Sequence, residues 1–467
     1  MPRKFELLTI AVLWLFIALL ASFVPGRKFN VNLFFTHASS LVSQPPAASF
    51  RWSMPRRFGP KKADGMVDYH WTEATQTYDS SYVNPTSWKV DFDGCISSAT
   101  SGNTYQWEID GVVQDNPGAT VCTFAHEFTS QRPYLVKLTV TTSDGQTAVA
   151  ETVVNIKDLL IVSLGDSFAS GQGNPDIPKK DGKKAKWVDN LCNRSAFAGP
   201  AQAALSIEQA DPHTSVTFVS LACSGATIDA GLIGNFQKGN TSLPPQINKL
   251  KDILNGRQID ALLISIGGND IGFANLVAKC ILDLNCSTSK GAQETLSNGF
   301  KFLPSGYQAL NDKMNGLPPV KRIFITEYPD LARNQNRQFC NNSPLFDLLG
   351  LLTRREAQWA SEEVVRGLND RVKAAADLHG WVYVGGIADK FAGHGYCAGD
   401  QRWVRTFGDA KKIQGTDNRC DLRNLDSIRS CIISSGSVHP SEGGHAWYAT
   451  RLIEELQRAA VTSSVGL

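Results

Sequence analysis

Between Trp88 and Ile156 apolar and polar positions alternate in short runs: Trp88–Phe92, Thr104–Ile109, Tyr134–Val140 and Ala148–Ile156. A period of two sends successive side chains to opposite faces of a strand, and turn signals at Asp110-Gly111 and Ser143-Asp144-Gly145 separate the runs. No helical period interrupts them, so residues 66–157 are expected to form a small antiparallel β-sandwich. From residue 158 onward the pattern changes. Continuous apolar runs at Leu159–Leu164, Ser215–Val219, Ala261–Ser265, Arg322–Thr326 and Trp381–Val384 alternate with helical stretches at Phe197–Ala210, Gln246–Leu254 and Arg354–Ala376. Strands apolar throughout, interleaved with helices, point to a parallel sheet covered on both faces. The expected architecture for residues 158–467 is a flavodoxin-like three-layer α/β/α domain. Ile156 and Leu159 are so close that the join between the two domains should be stiff.

The chain opens differently. Leu7–Val24 is apolar and follows Arg3-Lys4, which predicts an export signal over residues 1–28, either a cleaved peptide or a retained membrane anchor. Residues 29–65, with Pro45-Pro46 and Pro55-Arg56-Arg57, read as a flexible Pro/Ser-rich tether. Ten cysteines without a Cys-x-x-Cys pair fit an oxidising, extracytoplasmic compartment and disulfides. Zinc fails on spacing, because Cys280 and Cys286 stand apart from any histidine and no His-Glu-x-x-His occurs, so no metal or cofactor is expected. A net charge of +2 without a basic, aromatic-interleaved cluster gives no case for a nucleic-acid partner.

The chemistry lies in four short blocks. The run Leu159–Phe168 ends in Gly165-Asp166-Ser167, which puts a serine hydroxyl at the carboxyl edge of the expected sheet, where open α/β folds bind ligands. Ala222-Cys223-Ser224-Gly225-Ala226, Ile266-Gly267-Gly268-Asn269-Asp270 and Val438-His439-Pro440 follow in order. These blocks resemble the SGNH/GDSL hydrolase family over the chain from about Asp158 to the last helix near Ala460. Cys192-Asn193-Arg194-Ser195 with Leu221–Ala226 is similar to the family's secreted, disulfide-bearing lipases and esterases. The resemblance implies Ser167 as nucleophile and His439 as its base, since a serine hydroxyl is a poor nucleophile without one. It also implies an oxyanion hole from the backbone N–H groups of Ser167 and Gly225 and the side-chain amide of Asn269. Expected disulfides are Cys95–Cys122, Cys192–Cys223 and Cys280–Cys286; Cys340, Cys397, Cys420 and Cys431 leave three connectivities open.

One departure stands out. Much of the family places an aspartate three residues before the histidine, and that position here is Gly436. A Ser–His dyad is therefore expected, with the Gly436 carbonyl orienting the His439 ring and Asp421 or Asp426 as the alternative. Strand alternation directs Asp166 away from the site. His394 and His445 are expected to be structural or exposed. The cleft walls are expected from loops around Cys280–Ser289 and Tyr396–Cys431.

The stretch from Tyr105 through Trp107, His126-Glu127-Phe128 and Leu135–Gln146 resembles a PKD-type immunoglobulin-like domain. Trp107 is then a core residue, and such modules serve as spacers or contact cell surfaces and polysaccharides. The resulting expectation is an exported serine esterase cleaving carboxylic, lipid-type esters through an acyl-enzyme. A carbohydrate deacetylase and a non-catalytic surface-binding protein with a degenerate hydrolase domain are the alternatives.

Overall fold

Five parallel strands form the sheet that carries the motif blocks. In space they run Thr214–Ser220, Lys157–Gly165, Ala261–Ser265, Ile323–Thr326 and Val382–Val384, a 2-1-3-4-5 order in chain terms. Every residue of Ala261–Ser265 is buried, so both faces of the sheet are covered. That explains why these strands read as unbroken apolar runs. The order reverses beside Lys157–Gly165, and a crevice opens at the carboxyl ends on either side of such a reversal. Gly199–Ala210 packs on the final helix Glu442–Ser463, and Lys290–Met314 packs on Arg366–His379. The computed structural model describes residues 46–97, 102–115, 118–282, 285–341, 343–346, 349–415 and 436–463. The apolar segment 1–28 and residues 29–45 of the tether lie outside the described residues. Among the described residues, no helix is long and apolar enough to cross a membrane.

A small β-rich region precedes the α/β domain. A three-stranded sheet (Arg51–Ser53, Trp88–Asp93, Thr123–Phe128) and a four-stranded sheet (Val112–Val113, Thr104–Ile109, Pro133–Thr141, Thr147–Asn155) share one core. Trp107 is fully buried there, against Phe50, Phe92 and Phe124. Cys95–Cys122 closes one end, and Cys192–Cys223, Cys280–Cys286 and Cys340–Cys397 bridge the α/β domain. Cys420 and Cys431 lie outside the described residues.

Two expected boundaries need correction. From residue 46 the tether is packed: Arg51–Ser53 pairs with Trp88–Asp93, and Met54 N–H donates to Pro212 O at 2.8 Å. Residues 66–83 do not belong to the β-rich core. Phe58, Tyr69, Trp71, Tyr78, Tyr82 and Val83 are buried in the hydrophobic core of the α/β domain. Tyr78 and Tyr82 hydroxyls bond the backbone of the edge strand at Ser220 and Phe218. Short elements carry several of them, a two-residue hairpin pairing Trp71 with Tyr78 and a one-turn helix Ser80–Val83, too brief to show a period in the sequence.

Asp158 joins the two regions. It is fully buried, accepts from Trp88 Nε1 at 3.0 Å, and pairs with Arg57 at 3.2 Å and Arg257 at 3.1 Å. Breaking up a buried carboxylate satisfied by two guanidinium groups and an indole costs about 3–5 kcal/mol, so these contacts oppose movement at the join.

Candidate active site

The central strand ends at Gly165 with φ +139°, where a Cβ would come within 2.1 Å of Ser265 O. Only glycine fits that approach. Gln246 clamps the glycine by bonding its N–H and its C=O, each at 2.9 Å. The chain then turns into a one-turn helix, Ser167–Ser170, capped by Asp166, whose Oδ1 accepts from Phe168 N–H at 2.9 Å. Ser167 is thus the first helical residue, and its N–H has no intrahelical acceptor. Its side chain lines a cleft together with Gly225, Asn269 and His439. The structure therefore brings all four predicted residues to one cavity.

Gly225 sits on a turn held by Cys223 N–H to Gly165 O (3.0 Å) and Ser224 N–H to Cys192 O (3.1 Å). The Cys192–Cys223 bridge crosses the same point. Gly225 has φ +90°, a conformation that favours glycine. Asn269 follows the buried strand Ala261–Ser265, and one of its amide hydrogens is committed to Ala226 O at 2.9 Å. A primary amide has two, which leaves one for a ligand.

The two turns are tied together by a chain of hydrogen bonds absent from the sequence-based expectation. Gly268 N–H donates to Tyr328 Oη at 3.0 Å, and the Tyr328 hydroxyl donates to Asp166 Oδ2 at 2.5 Å. Asp166 lines the same cavity as His439, against the expectation from alternation, but its oxygens are bonded to Phe168 N–H and the Tyr328 hydroxyl. Burial pushes its carboxyl up to about 7.

The expected orienter of the histidine was one residue off. His439 Nδ1–H donates to Ser437 O at 2.8 Å, not to Gly436 O. Gly436 has φ +72° and packs so tightly on Gly173 that a Cβ would lie 2.7 Å from Gly173 Cα, so its peptide is committed elsewhere. Val438, between carbonyl and ring, has φ +61°. A β-branched residue rarely takes that conformation. It folds the Ser437 carbonyl back under the ring and is braced by Arg405, whose O accepts from Val438 N–H at 2.9 Å and whose N–H donates to His439 O at 2.8 Å. Arg405 is itself held by Asn174 Oδ1 at 2.7 Å, and Asn174 Nδ2 donates to Pro440 O at 2.8 Å. Asp421 and Asp426 lie outside the described residues.

His439 is buried, and desolvation first, then the nearby charge of Lys238, pulls its pKa down to about 4 against the opposing bond to Ser437. The ring is neutral at pH 7, which a proton acceptor requires. The other two histidines do different work. His445 Nδ1 accepts from Gly199 N–H at 3.2 Å in the helix packing, and His394 stacks on Trp403 at 3.8 Å.

Turns that follow the strands supply most of the described cavity wall, helices supply its apolar side, and residues 416–431 of the expected Tyr396–Cys431 loop lie outside the described residues. Phe273 and Ala274 lie on the helix Phe273–Leu282, and Val364, Val365 and Leu368 lie where a π-helical segment, Ala360–Val365, runs into Arg366–His379. A second, apolar pocket shares Phe273, Leu331, Val364 and Val365 with the first. Cys280 and Tyr396, from the expected loops, line only that second chamber. Among the described residues no cluster suited to a metal ion occurs.

The sequence model of the GDSL-like Lipase/Acylhydrolase family matches residues 163–447, more than half of the chain and all four motif blocks. The chain belongs to this family. Members hydrolyse carboxylic esters, and this GDSL protein is an ester hydrolase of the lipase/esterase type. It is similar to a lipase of Streptomyces rimosus, 26% identical over 239 residues that cover 51% of this chain and 73% of the relative. Lipase 1 of Streptomyces coelicolor is 26% identical over 245 residues, covering 52% and 75%. Among solved structures, an extracellular lipase from Streptomyces rimosus matches 64% of this chain and 99% of its own, at 22% identity and a TM-score of 0.40.

Proposed function

We propose that this GDSL hydrolase cleaves lipid-type carboxylic esters with a Ser167–His439 dyad. Ser167 Oγ attacks the ester carbonyl while His439 Nε2 takes its proton. The N–H groups of Ser167 and Gly225 and the free amide hydrogen of Asn269 meet the developing oxyanion. Collapse passes the proton to the departing alcohol and leaves an acyl-Ser167, which water hydrolyses by the same route in reverse. The Ser437 carbonyl takes the place of an aspartate: it fixes the tautomer and stabilises the transient imidazolium.

The apolar wall beside Ser167 carries the choice of substrate. Ile271, Phe273, Leu331, Val364, Val365 and Leu368 line the space next to the nucleophile, and a second apolar pocket with Leu276, Leu352 and Trp359 adjoins it across Phe273, Leu331, Val364 and Val365. An acetyl group needs none of that volume, whereas a long acyl chain gains roughly 0.8 kcal/mol per buried methylene. Hydrolysis of p-nitrophenyl esters from acetate to palmitate tests the proposal. Activity that persists to long chains and vanishes in Ser167→Ala supports it, and activity confined to acetate would favour a deacetylase.

The 2-1-3-4-5 strand order supports a flavodoxin-like three-layer fold for the catalytic domain. Two facing sheets closed around Trp107 support the PKD/immunoglobulin-like reading of the β-rich region, with a role in spacing the enzyme from, or holding it to, a cell surface or polysaccharide. Four disulfides among the described residues fit an enzyme that works outside the cytoplasm.

A further inference from the structure

The turn that carries the histidine faces two pockets at once. Ser437 and His439 line the cleft of Ser167, while Val438 between them lines the second, apolar pocket. We propose that the far end of the substrate's acyl chain lies in this second pocket against Val438 and so steadies His439, which makes chain length a determinant of kcat. The inference rests on the reading of Ser167 and His439 as the catalytic dyad. Val438 is then a positioning residue, because it touches the chain and acts through the ring beside it.

The chemistry of the second pocket suits a hydrocarbon. Leu276, Leu352, Trp359 and Val364 are among the side chains that supply its surface. Its one carboxylate, Glu356, is buried and already committed: Oε1 accepts from Cys286 N–H at 3.2 Å, and Oε2 accepts from Thr353 N–H at 3.1 Å and the Thr353 hydroxyl at 2.8 Å. A charged group entering there would lose its water without gaining a partner. Because Phe273, Leu331, Val364 and Val365 belong to both pockets, a chain esterified at Ser167 has only this shared wall to cross. Phe273 is its half-buried member, and a chain leaving the cleft crosses on that side.

The coupling to catalysis follows from the backbone. Val438 keeps φ +61° through two bonds with Arg405, Val438 N–H to Arg405 O at 2.9 Å and Arg405 N–H to His439 O at 2.8 Å. Neither bond involves the valine side chain, so packing on that side chain is a separate constraint. The same conformation sets Ser437 O under His439 Nδ1 at 2.8 Å. A chain that packs on Val438 in this state therefore favours the ring orientation that accepts the serine proton. Binding energy gained far from the reacting bond then raises kcat instead of lowering KM. The acyl chain stays on the enzyme through both half-reactions, whereas the alcohol leaves after the first, so acylation and deacylation are affected alike.

The test measures kcat and KM separately, in the full chain, for p-nitrophenyl butyrate and p-nitrophenyl laurate, which share one leaving group. Wild-type kcat should be about tenfold higher for laurate, a modest share of what a misplaced catalytic group costs. Val438→Gly accepts the turn and lacks the side chain; Ala360→Phe fills the second pocket from a residue outside the histidine turn. Each should bring the ratio of laurate to butyrate kcat close to parity. A wild-type preference that resides in KM alone, or no preference for laurate, overturns the inference, as does a ratio that survives in either variant. Wild-type protein inactive on both esters would instead overturn the serine-esterase reading, and this inference with it.

Discussion

His439 Nδ1 donates to the carbonyl of Ser437, two residues earlier in the same turn, at 2.8 Å. The base of the proposed dyad is therefore oriented by its own backbone. The cost of that geometry falls on Val438, whose left-handed conformation disfavours an L residue by about 1–2 kcal/mol. Arg405 offsets it with backbone bonds on either side.

Substitutions at 438 should separate conformation from side chain. Val438→Pro locks φ near −65° and removes the N–H bonded to Arg405 O, so kcat should fall by about 100-fold or more. Val438→Gly accepts the left-handed turn and should keep kcat within a few-fold. Steady-state kinetics on a short-chain ester would decide, and equal losses in both variants would mean that the turn does not position the ring.

The backbone carbonyl also predicts that no distant acid is required. The double variant Asp421→Ala, Asp426→Ala should retain most of kcat. If the free amide hydrogen of Asn269 serves the transition state, as proposed, Asn269→Ala should lose about 100- to 1,000-fold in kcat with little change in KM. A collapse of kcat in the double aspartate variant, with folding intact by circular dichroism, would sink the dyad.

The pH profile follows from burial. An imidazole must be neutral to accept a proton, and His439 is held down to about 4 against an ordinary 6.5. His445, held down to about 3, adds no titration above that. The limb of kcat/KM that reports His439 should therefore fall near pH 4, separate from any break near pH 7 that comes from Asp166. A limb centred at 6.5 that persists in Asp166→Asn, measured where the fold is intact, would show that the ring is solvated.

Truncation should expose how the catalytic domain is assembled. A fragment beginning at residue 158 lacks Phe58, Tyr69, Trp71, Tyr78, Tyr82 and Val83, all buried in the α/β core. Removing even one buried aromatic side chain typically costs about 3–5 kcal/mol. The fragment should be insoluble or unfolded, whereas Tyr82→Phe, which loses only a hydroxyl bonded to Phe218, should stay folded with a lowered Tm.

Much of the fold was legible because burial imposes a period. The strand Ala261–Ser265 and the helix Gln246–Leu254 coincide with their expected bounds. The helix Lys290–Met314 was not foreseen, since Pro304 interrupts it and Gly299 replaces a side chain where a Cβ would lie 2.4 Å from Ile271 Cα. Ser167, Gly225, Asn269 and His439 were found through motif blocks, which encode local turns. Tyr328 and Arg405 come from far along the chain and act through contacts that only folding creates. Ser437 was missed for a different reason, as a backbone carbonyl has no signature in side-chain identity.

Asp158 and Ser167 bracket the same central strand. At about 3.3 Å per residue the seven steps from Asp158 to Gly165 cover roughly 23 Å. The carboxylate bonded to Trp88 of the β-rich region and the proposed nucleophile are thus at two ends of one strand. If the β-rich region holds a surface, as proposed, Ser167 would meet its ester at a set stand-off from that surface.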